Sequence, residues 1–217
     1  MAKQKSNGRG WGGVPNPALP SARSKKGQRT LRAILDAAVE IVSREGFSAL
    51  SQAAVAKRVG ISQSTLRHYF PTKDGLVAAC FGRSVVDMGD AISAILDDPA
   101  GDPIAQLQKS IAVHLDFIMQ GADGYFFESL AYWARNPQQR ALRDEWYQWL
   151  HQSYATNVRR ARPDCSLGAC RAKSYQVLTL TLGAWITLST SRPNLLRKQA
   201  DGLKQTLLEA VRAIVLE

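Results

Sequence analysis

From Gln28 onward the apolar residues return at three- and four-residue spacing, and that regularity decides most of what the chain can become. Leu31, Ile34, Leu35, Ala38, Ile41 and Val42 form one stripe of a 3.6-residue period. Gly46 supplies the stop. Ser51 suits an N-cap for a second helix running to Val59, Gly60-Ile61-Ser62 suits a tight turn, and a third helix follows from Gln63 to about Phe70, closed by Pro71. Further helical spans are expected at about 74–96, 103–120, 125–135, 138–161, 169–190 and 198–216. The breaks between them carry Pro, Gly and Asp: Asp98 to Pro103, Gly121 to Gly124, Asn136-Pro137, Arg162 to Asp164, and Ser191 to Asn194. Strand-like alternation of useful length is absent, and so is any internal repeat. The fold class is therefore all-α, with about nine helices.

Charge is distributed unevenly along the 217 residues. Residues 1–75 hold thirteen Lys or Arg against four Asp or Glu, whereas residues 76–217 hold fifteen against fourteen, so nearly all of the net +10 lies in the first third. Such a concentration is the footprint of contact with a nucleic acid or another anionic surface. Part of it belongs to residues 1–27, rich in Gly, Pro, Ser, Lys and Arg and without apolar periodicity, which read as a disordered basic arm with Trp11 its one large apolar side chain. The 45% apolar composition is that of a globular chain, and its length allows one or two domains. The longest uncharged run, Ser174 to Ser191, holds seven Ser or Thr and suits a buried helix rather than a membrane span. No apolar stretch follows the basic N-terminus, and Cys80, Cys165 and Cys170 are too few and too irregular for an exported disulfide framework. The chain reads as cytoplasmic, with no membrane partner.

Residues 51–70, SQAAVAKRVGISQSTLRHYF, fit a helix-turn-helix position by position. Val55 and Val59 share a face, Ala56 is small where two helices must cross closely, and Gly60 sits where a sharp turn needs φ > 0. On the third helix Leu66 and Phe70 point inward together, leaving Gln63 with Arg67, and Ser64 with His68, in outward rows. A Gln amide can bond a base edge through both donor and acceptor, and an Arg fork fits guanine or a phosphate. Lys73, one turn beyond, suits a phosphate contact that fixes register. The candidate DNA-contacting set is Ser51, Gln52, Ser62, Gln63, Ser64, Thr65, Arg67, His68, Tyr69 and Lys73.

The stretch Gly46 to Leu76, GFSALSQAAVAKRVGISQSTLRHYFPTKDGL, resembles the DNA-binding domain of the TetR family of bacterial transcriptional regulators. The likeness is carried by Gly46-Phe47, Val55-Ala56, Val59-Gly60-Ile61-Ser62, Thr65-Leu66, Tyr69-Phe70 and Lys73. With the preceding helix it covers about residues 29–77, a third of the chain. It implies a homodimer whose paired third helices read a two-fold-symmetric, double-stranded operator, as a repressor released by a small-molecule effector. Arg67 departs from the Tyr of many members, exchanging a phenol for a guanidinium. The implied domains are the arm at 1–27, the helix-turn-helix domain at 28–75 and a ligand-binding and dimerisation domain at 76–217.

In that last domain two apolar stripes recur at helical spacing. Leu178, Leu182, Trp185 and Leu188 form one beside the small Gly183 and Ala184; Leu203, Leu207, Leu208, Val211, Ile214 and Val215 form the other. Each could equally face its own core, but by resemblance the last two helices form the dimer contact. Aromatic residues concentrate between Phe117 and Trp149, and Phe117, Phe127, Trp133, Trp146 and Trp149 suit the lining of an apolar or aromatic effector's pocket, with His114, Tyr175 or Thr179 as polar contacts. The competing reading of any one of them is ordinary core. Cys165 and Cys170 flank a helix break, a spacing compatible with a redox pair and equally with two inert thiols. His68, His114 and His151 are far apart, so no metal is expected, and no cofactor motif is present. No G-x-S-x-G, P-loop or H-E-x-x-H motif occurs, which argues against an all-α enzyme with a basic appendage. A charge-only architectural DNA-binding protein is the other alternative, and a formed reading helix argues against it.

Overall fold

The computed structural model describes residues 24–119, 123–188 and 199–217 together with Pro20 and Ala22, apart from the side chains of 84–87, 123, 138, 200 and 201. The basic arm falls almost wholly outside these residues, as do the turn at 121–122 and the break at 191–194. Among the described residues there is no strand, and nine helices follow one another: α1 (Lys25–Glu45), α2 (Gln52–Val59), α3 (Gln63–Tyr69), α4 (Lys73–Leu96), α5 (Pro103–Met119), α6 (Asp123–Arg135), α7 (Pro137–Ala161), α8 (Leu167–Thr187) and α9 (Ala200–Leu216).

The expected punctuation places the first helices. Helix α1 begins three residues before Gln28, because the Ser24 hydroxyl accepts from the Gly27 N–H at 3.0 Å and caps it. Ser51 caps α2 through the Ala54 N–H and Ser62 caps α3 through the Thr65 N–H, each at 3.1 Å. Gly46 (φ 79°) and Gly60 (φ 74°, ψ 33°) end α1 and α2 in left-handed backbone that a Cβ would strain.

The chain divides into two compact units, one formed by residues up to Asp87 with Gly124–Arg143, the other by Met88–Asp123 with Asp144–Glu217. In the first, Ile34, Ala38, Ile41 and Val42 of α1 meet Val55 and Ala56 of α2, Leu66 of α3, Phe70, and Leu76 and Val77 of α4 in one core, to which α6 adds Tyr125. The second has its core in Leu107, Ile111, Leu115 and Ile118 of α5, Leu150, Tyr154 and Val158 of α7, Val177 and Trp185 of α8, and Val211 and Val215 of α9. Arg160 pins the α4–α5 connection there, donating to Gln106 Oε1 (2.7 Å), Asn157 Oδ1 (2.8 Å) and the carbonyls of Pro99 (3.1 Å) and Gly101 (3.0 Å).

The two C-terminal stripes are split by this packing. Leu178 and Trp185 of α8 and Val211 and Val215 of α9 are buried in their own unit, while Leu182, Leu188, Leu203, Leu207, Leu208 and Ile214 are half-buried. Helix α8 is apolar on more than one face, so periodicity alone could not say which residues turn inward. The exposed apolar residues of the two helices are instead Leu167, Tyr175, Ile186 and Leu216.

Candidate nucleic-acid interface

Helix α3 is seven residues long and held from beneath. Leu66 is fully buried and Phe70 nearly so, whereas Gln63, Ser64, Thr65, Arg67 and His68 are exposed. The core thus fixes the helix by its apolar side and leaves one continuous polar face. At its first turn the Ser62 hydroxyl lies 2.8 Å from both the Ser64 and the Thr65 hydroxyl, a small network beside the cap.

Gln52, expected among the DNA contacts, also bonds within its own domain. Its Nε2 donates to the Phe70 carbonyl at 2.6 Å, and its Oε1 accepts from Arg67 Nε at 3.4 Å. The amide buckles α2 to the end of α3 and occupies the inner nitrogen of the guanidinium, leaving its two terminal nitrogens as a fork. Lys73 donates from Nζ to the Phe47 carbonyl at 2.8 Å, which anchors the ammonium while leaving two N–H bonds to spare. Tyr69 is half-buried; its hydroxyl lies 3.4 Å from the Gly27 carbonyl and its ring meets His68 edge-on at 5.8 Å. Ser51 is exposed and engaged as the cap of α2. Arg58 pairs with Glu40 (3.3 Å) and Glu45 (3.0 Å), so it ties α2 to α1, while Arg67 has no ion pair among the described residues.

Phe47, in the connection before α2, joins this platform to α6. Its ring stacks on Tyr132 with centroids 4.5 Å apart and tilts against Tyr125 at 6.3 Å, and its N–H donates to Glu128 Oε2 at 3.3 Å. Tyr132 donates its hydroxyl to Asp74 Oδ1 at 2.6 Å; burial first, and then Asp74, push its phenol up to about 12. A Cβ on Gly124 would stand 2.6 Å from the Ser43 carbonyl oxygen, so only glycine lets α6 approach the end of α1 this closely. Sequence reasoning missed this clamp, since Phe47 and Glu128 are 81 residues apart and no local pattern links them.

Residues 34–80 match the family described as bacterial regulatory proteins, tetR family. The HTH-type transcriptional regulator BetI of Paraburkholderia xenovorans is 27% identical over 168 residues, spanning 75% of this chain and 84% of that protein. Residues 34–80 form a TetR-family domain. A transcriptional regulator from Rhodococcus has the same fold, with a TM-score of 0.70, 17% identity, and coverage of 85% of this chain and 95% of that one. A regulator from Saccharomonospora viridis, solved in complex with choline, matches with a TM-score of 0.68 and 19% identity over 85% of this chain and 96% of that one. The chain is accordingly a helix-turn-helix transcriptional regulator, and α2 and α3 both lie within the matched residues.

The residues expected to line this regulator's effector pocket divide between the two units. In the first, Phe127 is half-buried beside Phe126 (5.6 Å), and Trp133 is buried edge-on to Phe81 (4.8 Å). In the second, Phe117 meets Trp185 edge-on (5.9 Å) and Trp146 lies against Trp149 (5.0 Å). His114 is buried, with Nδ1 3.2 Å from the Ser110 carbonyl, and burial lowers its pKa to about 4, so the ring is neutral at pH 7. Tyr175 is 61% exposed and Thr179 is exposed as well, both on the outer side of α8. Tyr175 stacks on His151 at 3.9 Å, in a groove of about 540 Å³ lined by Asp144, Tyr147, Gln148, His151, Gln152, Ala155, Arg171 and Tyr175. Of the thiols, Cys80 and Cys170 are buried and Cys165 is half-buried; the three are free cysteines, and burial raises Cys80 to about 12. Among the described residues no group of His, Cys, Asp and Glu could hold a metal ion, and no helix is long and apolar enough to cross a membrane.

Proposed function

We propose that this regulator acts as a homodimer whose two α3 helices read a two-fold-symmetric operator, and that it represses until a small apolar or aromatic effector releases it. The observation that carries this reading is the outer face of α3. Gln63 and Arg67 stand exposed one helical turn apart on a helix whose other side is locked into the core. The Gln52 bond holds the Arg67 fork outward, which favours bidentate contact with guanine or a phosphate pair. Ser62, Ser64, Thr65 and His68 flank those two at the groove, while Ser51, Tyr69 and Lys73 border the backbone on either side.

Dimerisation is assigned to the outer faces of α8 and α9. Leu167, Tyr175, Ile186 and Leu216 are exposed there, and a Cβ on Gly183 or Gly202 would meet nothing in its own chain, which leaves room for a partner helix. Residues 28–75 serve as the reading domain and 76–217 as the effector and dimer domain. Residues 1–27 add nonspecific affinity for the DNA backbone. Binding of a small molecule is supported by the Saccharomonospora regulator of this fold, which was solved in complex with choline. We assign the protein no catalytic activity and place it in the cytoplasm. The test is selection of random DNA fragments by the purified chain, followed by sequencing of the bound pool. A two-fold-symmetric motif is expected; good binding at low salt with no motif would indicate charge-only association instead.

A further inference from the structure

Helices α7 and α8 are joined by residues 162–166 alone, and between them runs the groove of about 540 Å³, a volume that suits a small molecule. Its residues all lie in the second unit. One wall is a single face of α7, from Asp144 through His151 to the buried Ala155 at three- and four-residue spacing. The other is Arg171 and Tyr175 of α8, one turn apart.

Three groups in this groove are arranged for contact with something outside the chain. The Tyr175 ring is 61% exposed although one face lies on His151, with centroids 3.9 Å apart and planes 25° from parallel. Its other face is open apolar surface that a second flat ring would cover. The His151 ring is held in one tautomer. Ser174 spends its only proton on the His151 carbonyl at 2.9 Å, so its oxygen accepts from the Nδ1–H at 2.5 Å. Burial and then Arg171 lower the pKa of His151, which keeps the ring neutral at pH 7. A neutral ring protonated at Nδ1 carries a lone pair at Nε2, and that atom has no hydrogen-bond partner among the described residues. Arg171, the third group, is exposed and has neither an ion pair nor a hydrogen bond among the described residues, whereas Arg58, Arg83 and Arg162 are each tied to a carboxylate.

The groove also has a polarity. Asp144 precedes His151 by about 10 Å along α7, and Arg171 precedes Tyr175 by about 6 Å along α8. Because the chain turns back between the two helices, these charges fall on opposite sides of the ring stack, with the basic end nearer the connection.

We propose that this groove binds aromatic carboxylates bearing a ring hydroxyl: the Arg171 guanidinium takes the carboxylate, the open face of Tyr175 takes the ring, and Nε2 of His151 accepts from the hydroxyl. An uncharged ring leaves the guanidinium unused, and a cationic one is repelled by it. As a statement of the effector's class this rests on the ligand-responsive reading above; the site itself rests on the groove. Tyr175 also borders the α8 face assigned to the partner helix, so an occupant of the groove touches the edge of the dimer contact.

The test titrates the full chain by calorimetry with para-hydroxybenzoate, benzoate, para-hydroxybenzamide and para-hydroxybenzylamine. The hydroxy acid is expected to bind about tenfold tighter than its amide and about threefold tighter than benzoate, with the amine weakest. Arg171→Gln is expected to abolish the preference for acid over amide with Tm unchanged, since the side chain it replaces is exposed and makes no bond. His151→Phe keeps a ring against Tyr175 and is expected to abolish the preference for the hydroxyl. Equal binding of acid and amide, a preference that survives Arg171→Gln, tighter binding of the amine, or no binding at millimolar concentration overturns the proposal. Loss of dimer mass in Tyr175→Ala, with no probe bound by wild type, assigns the groove to a second copy and overturns it as well. Fluorescence anisotropy of the selected DNA separates the site from the effector reading. Acid binding that depends on Arg171 but leaves DNA affinity unchanged keeps the site and removes its effector role. Release by an aromatic acid to which Arg171→Gln responds like wild type keeps the response and removes the site.

Discussion

Acid lability offers a quantitative check on the second unit's core, through His114. The ring is 4% exposed, and its pKa falls from 6.5 to about 4, chiefly by burial, with the bond to the Ser110 carbonyl opposing the shift. In the unfolded chain the same imidazole titrates near its ordinary value. Between those two pH values the unfolded state takes up a proton that the folded state refuses, so stability falls as pH drops through 6.5 and stops falling on this account near 4. At about 1.4 kcal/mol per pH unit the whole effect is about 3 kcal/mol, most of which appears between pH 7.5 and 4.5. That is a large part of the stability of an ordinary domain. The comparison is His114→Gln, whose amide keeps a donor for the Ser110 carbonyl and has no proton to gain. Urea unfolding of both proteins across that pH range should show wild type losing about 2–3 kcal/mol more than the variant. His151 is also lowered, by burial and then by Arg171, but it is common to both proteins and cancels. Parallel stability curves would refute the reasoning, because they would mean that His114 reaches water in the folded state.

Two further outcomes follow from the reading platform. Gly60→Ala places a Cβ in open space but at φ 74°, so it should cost about 1 kcal/mol from backbone strain alone, with Gly60→Asn costing less; equilibrium unfolding decides. Gln52→Ala should lower specific DNA affinity about tenfold without changing the oligomeric state, because it frees Arg67 and unbuckles α3 from α2; anisotropy and sedimentation measure the two separately.

Much of the first unit was legible in the sequence because its signals are local. Ser51, Gly60 and Ser62 each act within four residues, and Leu66 with Phe70 marks the inner side of α3 at one helical turn. What escaped is set by packing between distant segments. Nothing near Phe47 announces that Glu128 and Tyr132 close over it, and nothing in Gln52 distinguishes an amide aimed at DNA from one aimed at Phe70. In the second unit, Leu178 and Leu182 share a stripe by periodicity, yet the first is buried and the second half-buried. The aromatic run from Phe117 to Trp149 was visible as composition. Which of those rings the folded interior encloses could not be read from spacing.

The central claim is that the outer face of α3 reads sequence, and the most direct measurement is a specificity ratio. Affinity for the selected DNA and for scrambled DNA of equal length should be compared at physiological salt for wild type, Gln63→Ala and Arg67→Ala, with dimer mass followed in parallel. The account predicts a ratio of about 10³ or more for wild type, reduced by about 1–3 kcal/mol in each variant with the dimer intact. Ratios that stay the same in both variants would remove α3 from the reading role and contradict the account.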